Sequence, residues 1–180
     1  MKKSFSFFIV PFLLVVPLKV IKGQAKSLSN GNVYFSGIVI DSPLSKNTLY
    51  INAKTYFVDA FQSAKDVIQL DDKDNGIIMG KGSFEIPYKM NFMFTLPMTV
   101  GQTIKIYIKD FKYKYEFTDF NYEFFTPAVE GNPGEELSGS LDNLSIHNSK
   151  MVINEVNIKV SEEIEMLKNY MENKSDTLSF

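Results

Sequence analysis

Residues 103–120, which read TIKIYIKDFKYKYEFTDF, decide the fold. Three isoleucines occupy every second position in the first half of this stretch, and Tyr and Phe residues do the same in the second half. This period of two with one apolar face predicts two half-buried antiparallel strands, Thr103–Lys109 and Lys112–Phe120. The short link Lys109-Asp110-Phe111 predicts that the two strands form a hairpin.

Four more strands are predicted upstream of this hairpin. Val33–Ile40 is rich in β-branched and aromatic residues and is followed by turn-forming residues. Asp66–Leu70 and Gly76–Ile86 are joined by an acidic turn, and Lys89–Leu96 completes the set. The Asn75-Gly76 pair predicts a type I′ turn, because both central positions of that turn need positive φ.

Two amphipathic helices are predicted, the first over Ser45–Ser63 with Ser45 as its cap and the second over Lys150–Asn173. Phe125–Asn148 is rich in Gly and Pro and predicts a long loop. The order strand, helix, strands, helix predicts a single α+β domain over 33–173, with an antiparallel sheet packed against two helices. The apolar positions that define the helices are Leu49, Ala53, Tyr56, Phe57, Ala60, Phe61 and Ala64, then Ile153, Val156, Val160, Ile164, Leu167 and Met171.

The first residues read as an export signal. Lys2-Lys3 precedes the apolar run Ser4–Leu18, and Gly23-Gln24-Ala25 places small residues at the −3 and −1 positions of a cleavage site after Ala25. A membrane span needs ~20 apolar residues, and this run is shorter. Lys19 and Lys22 are unusual in such a signal, so a retained anchor is the alternative. Residues 1–25 are thus predicted to be a signal peptide, 26–32 a linker and 174–180 a frayed tail.

Composition removes several classes of function. The chain has no Cys and one His, which excludes disulfides, thiolate metal sites, a Cys nucleophile, a lipidated Cys and sites built from several His. All 19 basic residues are Lys, and loss of four with the signal peptide leaves 15 against 21 acidic residues, a net charge of −6. An acidic domain without Arg is a poor candidate for binding nucleic acid or an anionic membrane surface. No cofactor and no metal are expected.

The acidic stretch Asp71–Gly76 does not follow the pattern of a calcium loop. Such a loop needs alternating carboxylates, Gly at its sixth position and Glu at its twelfth. Counted from Asp72, those positions hold Ile77 and Ser83, and counting from Asp71 fails at the third position. The stretch therefore predicts a solvated hairpin turn, with weak cation binding as the alternative.

Gly80-Lys81-Gly82-Ser83 has a superficial likeness to a phosphate-binding loop. The full motif needs Ser or Thr directly after the Lys and a helix after that. Here Gly82 follows Lys81 and a strand is predicted next, so nucleotide binding is not expected. Gly inside a strand indicates instead a bulge or a close approach of another element.

His147 and the aromatic strand Tyr113–Phe125 are the other candidate sites. A catalytic triad needs a base aimed at a nucleophile, and no Gly-x-Ser-x-Gly turn is present around the nearby serines. We therefore expect His147 to be exposed just before the second helix. The aromatic strand, with Lys112 and Lys114 between its rings, is interpreted as sheet core, with stacking on sugars or bases as the alternative.

The segments Leu49–Ala64, Val67–Lys73 and Gly80–Gly82 resemble a bacterial family known as domain of unknown function 4468, which has a TBP-like fold. The resemblance covers about residues 34 to 120 and extends less clearly to the second helix. This chain has Tyr56 where the family usually has Trp, and Asp110-Phe111 where it usually has Asp-Gly. The resemblance implies an exported envelope protein with a curved antiparallel sheet, and it implies no activity, cofactor, catalytic residue or DNA binding.

Three hypotheses for function follow. The first is an exported, periplasmic or envelope-associated, non-enzymatic module that binds a partner protein or a small ligand in a groove between sheet and helix, with Phe125–Asn148 closing over it. The second is a structural or assembly component of the envelope that pairs through exposed strand edges. The third is a hydrolase built on Asp71, Asp72 and Asp74 with Lys81, which requires a carboxyl that titrates abnormally inside a pocket.

Overall fold

The computed structural model describes residues 33–61, 67–128, 131 and 133–173. The predicted signal peptide, its cleavage after Ala25, the linker 26–32 and the tail 174–180 lie outside these residues. Within the described residues no helix is long and apolar enough to cross a membrane.

Six antiparallel strands form one sheet with the order β1-β5-β4-β3-β2, and β6 pairs with β5. β1 and β6 lie along the same edge of β5, β1 against its first half and β6 against its second half. The predicted hairpin is confirmed, since Ile106 pairs with Tyr115 between β4 and β5. The strands are β1 Phe35–Val39, β2 Ile68–Asp72, β3 Ile77–Lys89, β4 Thr95–Lys109, β5 Lys112–Thr126 and β6 Glu135–Ser140.

Helix α1 spans Lys46–Ala60, and Ser45 is its cap as predicted, with the Ser45 Oγ accepting a hydrogen bond from the backbone N–H of Thr48. Helix α2 spans Ser149–Asn173. Both helices lie on one face of the sheet, and their apolar stripes pack against the inward residues of the strands. The predicted α+β architecture is therefore confirmed.

The middle of the sheet differs from the prediction. Lys89–Leu96 was predicted as a separate strand, but β3 continues to Lys89, Met90–Phe94 forms the turn, and β4 runs without a break from Thr95 to Lys109. Pro87 and Pro97 lie within this continuous hairpin and face each other in the register. Since alternate pairs in an antiparallel ladder exchange no hydrogen bonds, a proline pair fits such a position.

The predicted loop Phe125–Asn148 is wrong over much of its length. β5 extends to Thr126, and Glu135–Ser140 pairs with its free edge as β6. A 3₁₀ turn follows over Leu141–Asn143. The sequence of β6, EELSGS, has little intrinsic preference for a strand, so the unpaired edge of β5 determines its conformation.

The Asn75-Gly76 turn is not of type I′. Only Gly76 has positive φ, at 69°, and four residues separate the paired Asp72 and Ile77. The Asp72 carboxylate accepts hydrogen bonds from the backbone and the side-chain amide of Asn75. This side-chain bond holds Asn75 out of the left-handed conformation that a two-residue turn needs.

A β-bulge explains how β5 keeps one apolar face. Asp119 and Phe120 together oppose Gln102 of β4, and Asp119 has φ of 55°. The extra residue shifts the alternation by one position. As a result Phe117 and Phe120, three residues apart, both point into the core.

The hairpin between β4 and β5 contains a strained residue that can be relieved. Phe111 has φ of 62° and its side chain is largely exposed. Because a non-glycine residue in this region costs about 1 kcal/mol, Phe111→Gly should raise the free energy of unfolding by roughly 0.5–1 kcal/mol in urea titrations. Phe111→Ala, which keeps the strain, is the control. A glycine variant no more stable than the alanine variant would contradict the strain.

Candidate functional site

In the acidic turn after β2, the carboxylate of Asp72 is hydrogen-bonded within the turn itself. Asp72 is bound by Asn75 at 2.8 Å and 3.0 Å, and these bonds lower its pKa. Lys46 Nζ donates to the backbone oxygen of Asp74 at 2.8 Å. In the part of the chain that the structure describes, no three metal-ligating side chains come together. The geometry is that of a solvated hairpin turn, as predicted.

The side chain of Asp71 lies outside the turn and links β2 to α1 through hydrogen bonds. Its carboxylate accepts a hydrogen bond from Lys54 Nζ at 2.6 Å and another from the Tyr50 hydroxyl. The bond from Lys54 and then the bond from Tyr50 lower the pKa of Asp71. A hydrolytic pair needs one carboxyl with a raised pKa to act as the acid, and both Asp71 and Asp72 shift the other way. Lys81, the proposed partner, is exposed on β3 opposite Thr103.

The glycines beside Lys81 serve packing. A Cβ on Gly80 would lie 2.6 Å from the ring of Phe57, and a Cβ on Gly82 would overlap the ring of Phe61. The predicted close approach is thus confirmed, and helix α1 lies directly over these strand positions. The strand runs on to Lys89, so the helix that a phosphate loop requires is absent from this position.

His147 and the aromatic strand Tyr113–Phe125 lie where the sequence analysis predicted. His147 is exposed just before α2, as expected. Tyr113, Tyr115 and Phe117 are buried, which confirms the sheet-core interpretation of the aromatic strand. On the open face of the same strand, Glu116 binds Lys114.

A buried polar cluster joins α1, α2 and β4. The Gln102 side-chain amide donates to the Glu163 carboxylate, while Gln102 Oε1 and the Tyr56 hydroxyl have no partner among the described residues. Burial raises the pKa of Glu163 to about 7, against the opposing effects of Gln102 and Lys159. Burial, and then the charge of Glu163, raise the pKa of the Tyr56 hydroxyl. The cluster is therefore sensitive to pH near neutrality.

An open cavity of about 430 Å³ lies between the start of β1, the 3₁₀ turn and the first turns of α2. Asp142 fixes one wall, because its carboxylate accepts the backbone N–H of Val33 at 2.7 Å. Lys150 supplies a cation at the lining. The lining consists of Val33, Tyr34, Phe35, Leu141, Asp142, Leu144, Ser149, Lys150, Ile153 and Asn157.

The sequence analysis assigned none of these lining residues to a site. The segment expected to close over a groove does supply Leu141 and Leu144, although as a 3₁₀ turn beyond a strand. Three segments far apart in sequence form the walls. Isolated apolar residues in a polar stretch, such as Leu141 and Leu144, were the one available signal.

Six antiparallel strands with two helices on one face define an α+β domain with the TBP-like arrangement. Residues 35–123 match the family described as "Domain of unknown function (DUF4468) with TBP-like fold", and this part of the chain is a domain of that family. None of the curated proteins matches the chain.

Two solved structures share the fold. A TBP-like protein from Parabacteroides distasonis ATCC 8503 is 15% identical, with a TM-score of 0.62 over 83% of this chain and 99% of that one. A DUF4468 family protein from Bacteroides ovatus ATCC 8483 is also 15% identical, with a TM-score of 0.54 over 82% and 90%. At this identity the likeness establishes the fold and carries no function.

Proposed function

We propose that this chain is an exported, non-enzymatic binding module that holds a small ligand in the cavity between β1, the 3₁₀ turn and α2. The cavity carries the proposal, because about 430 Å³ falls within the range of small-molecule sites. Export is supported by the basic pair and apolar run at the start of the sequence. Another cavity, of about 370 Å³ at the start of α1, is lined mainly by polar and charged residues, so it offers a ligand less apolar wall.

The lining favours a ligand with an apolar body and an anionic end. Val33, Phe35 and Ile153 offer apolar walls, whereas Lys150 offers an ammonium group. Asp142 keeps its negative charge and holds one wall through the backbone of Val33, so Lys150 is the lining group that attracts the anionic end of a ligand. A small carboxylate-bearing or phosphate-bearing molecule would match both features.

Pairing through strand edges is supported less well. β2 has five residues, two of which are aspartates, and β6 has six residues, two of which are glutamates. Short, charged edge strands are the usual protection against pairing with another chain. β1 is also an edge strand and carries no charge, but with five residues it is as short as β2, so the described sheet offers an assembly role only short edges.

Filling the cavity should abolish ligand binding. Native mass spectrometry on the chain purified gently from its host should show an added mass of a few hundred daltons. Ile153→Trp, which places a large ring among the lining residues, should remove that mass, whereas Ile158→Trp on the exposed face of the same helix should retain it. A bare wild-type chain, or an added mass that survives Ile153→Trp, would contradict the proposal, and a discrete larger mass would identify a partner chain instead.

A further inference from the structure

The turn between β3 and β4 presents an apolar tip to solvent. Phe92 is fully exposed, Met93 is 79% exposed, and Phe94 and Met90 are also exposed. Soluble domains rarely display so many adjacent large apolar side chains without a use for them. We name Met90–Phe94 the apolar tip.

The exposure of the apolar tip is built into its backbone. The Asn91 side-chain oxygen accepts hydrogen bonds from the N–H groups of Met93 and Phe94, both at 2.9 Å. The Phe94 carbonyl in turn accepts from the N–H of Met90 at 3.0 Å. These bonds fix the turn in a shape that directs the rings outward, so they are not held against the domain's own core.

The tip also extends beyond the neighbouring strand. β4 pairs with β5 from Thr99 onward, whereas Thr95–Met98 pair only with β3. The last residues of β3 and the first of β4 thus form a two-stranded ribbon that carries the tip at its end. The shallow cavity on this ribbon lies below the tip, between residues 85–87 and 95–97.

Charge around the tip differs from that of the whole domain. No acidic residue occurs between Glu85 and Asp110, and Lys89 directly precedes the tip. The Asn148 side chain donates to the Lys89 carbonyl at 2.8 Å, which places the residue just before α2 beside the ribbon. The overall negative charge argued against anionic membranes, but the end of the ribbon carries Lys89 and no carboxylate.

We propose that the apolar tip inserts into the headgroup and acyl-chain boundary of an anionic lipid bilayer. An exposed apolar tip with Lys89 directly beside it suits a fluid anionic bilayer, which needs no matching pocket. Its four side chains offer roughly 500 Å² of surface. A stable protein interface buries about 800 Å² on each partner, so the tip alone is small for a protein partner.

The test uses a probe at the tip, because the apolar run Ser4–Leu18 would itself carry the full chain to vesicles. The chain has no Cys, so Met93→Cys can be labelled uniquely with an environment-sensitive dye. Adding vesicles of phosphatidylcholine with phosphatidylglycerol should raise the emission several-fold, and brominated acyl chains should quench it. The same label at Asn169→Cys, near the far end of α2, should respond little.

Phe92→Ser in the labelled Met93→Cys chain should reduce the response several-fold, and pure phosphatidylcholine should give a weaker signal than the anionic mixture. An unresponsive label at position 93 would overturn the proposal. A rise in emission without vesicles that grows with protein concentration would also overturn it, because a second copy would then cover the tip.

Discussion

Gly80→Ala is expected to lower the free energy of unfolding by about 2–3 kcal/mol, since the new methyl group would meet the fully buried ring of Phe57 at 2.6 Å. Both the sign and the size are informative, because replacing Gly by Ala within a strand is otherwise neutral or stabilising. Urea titration of the purified chain would measure the change.

Lys81→Ala is the matched control for that substitution. Lys81 is the next residue of β3 and is exposed, so its loss should change stability by no more than about 0.5 kcal/mol. Gly82→Ala should lower the free energy of unfolding by an amount between these two. Phe61 at the end of α1 is only partly buried, so its ring has room to move. If Gly80→Ala were as stable as Lys81→Ala, α1 would not lie on β3 as described.

Glu163→Gln is expected to stabilise the protein by about 2 kcal/mol at pH 8 and to have little effect near pH 4. The pKa of Glu163 rises from its ordinary 4.5 to about 7 in the folded chain. The folded state therefore holds a proton that the unfolded state releases, and wild-type stability falls as pH increases from about 4.5 to about 7. The substitution removes this loss, and it adds an amide donor beside the Gln102 oxygen that has no partner in the described part of the chain.

Urea titrations at pH 4, 6 and 8 would follow this effect. Glu165→Gln on the same helix is the control, because Glu165 is exposed and pairs with Lys168 at 2.7 Å. We expect the free energy of unfolding of that variant to lie within about 0.5 kcal/mol of the wild-type value at every pH. A Glu163→Gln chain with the same pH dependence as the wild type would show that this carboxyl titrates normally.

The elements with a clear period were predictable. The alternation through Ile104–Phe117 and the spacing of apolar residues from Val156 to Met171 each specify an element and its buried face. Ser45 marked the start of α1 because its hydroxyl can serve a free N–H there. Local chemistry was sufficient in each of these cases.

The wrong predictions share one cause, because each of these features depends on contacts between different strands. β6 forms because β5 offers an unpaired edge, and nothing in EELSGS itself indicates a strand. Pro87 and Pro97 look like breaks until the register places them opposite each other. The turn at Asn91 was hidden because Asn91 is surrounded by Met and Phe residues, which are more typical of strands and cores than of turns.

The candidate site was predictable only in part. The sequence correctly favoured a solvated turn at Asp71–Gly76 and a structural role for the aromatic strand. The cavity could not be foreseen, because its walls are drawn from segments around Phe35, Leu141 and Ile153 that no spacing rule connects. The volume of the cavity depends on how loosely those three segments pack together, and the spacing of residues in the sequence does not reveal that.

The pairing of β1 with β5 has a consequence for how the chain folds. Phe35, near the start of the domain, finds its partner in Phe117, so the first strand has no neighbour until most of the domain has been synthesised. Contacts between residues so distant in sequence close slowly, because the intervening chain must first lose its freedom. The β3–β4–β5 meander should therefore assemble early, and the docking of β1 should be among the last steps to complete the sheet.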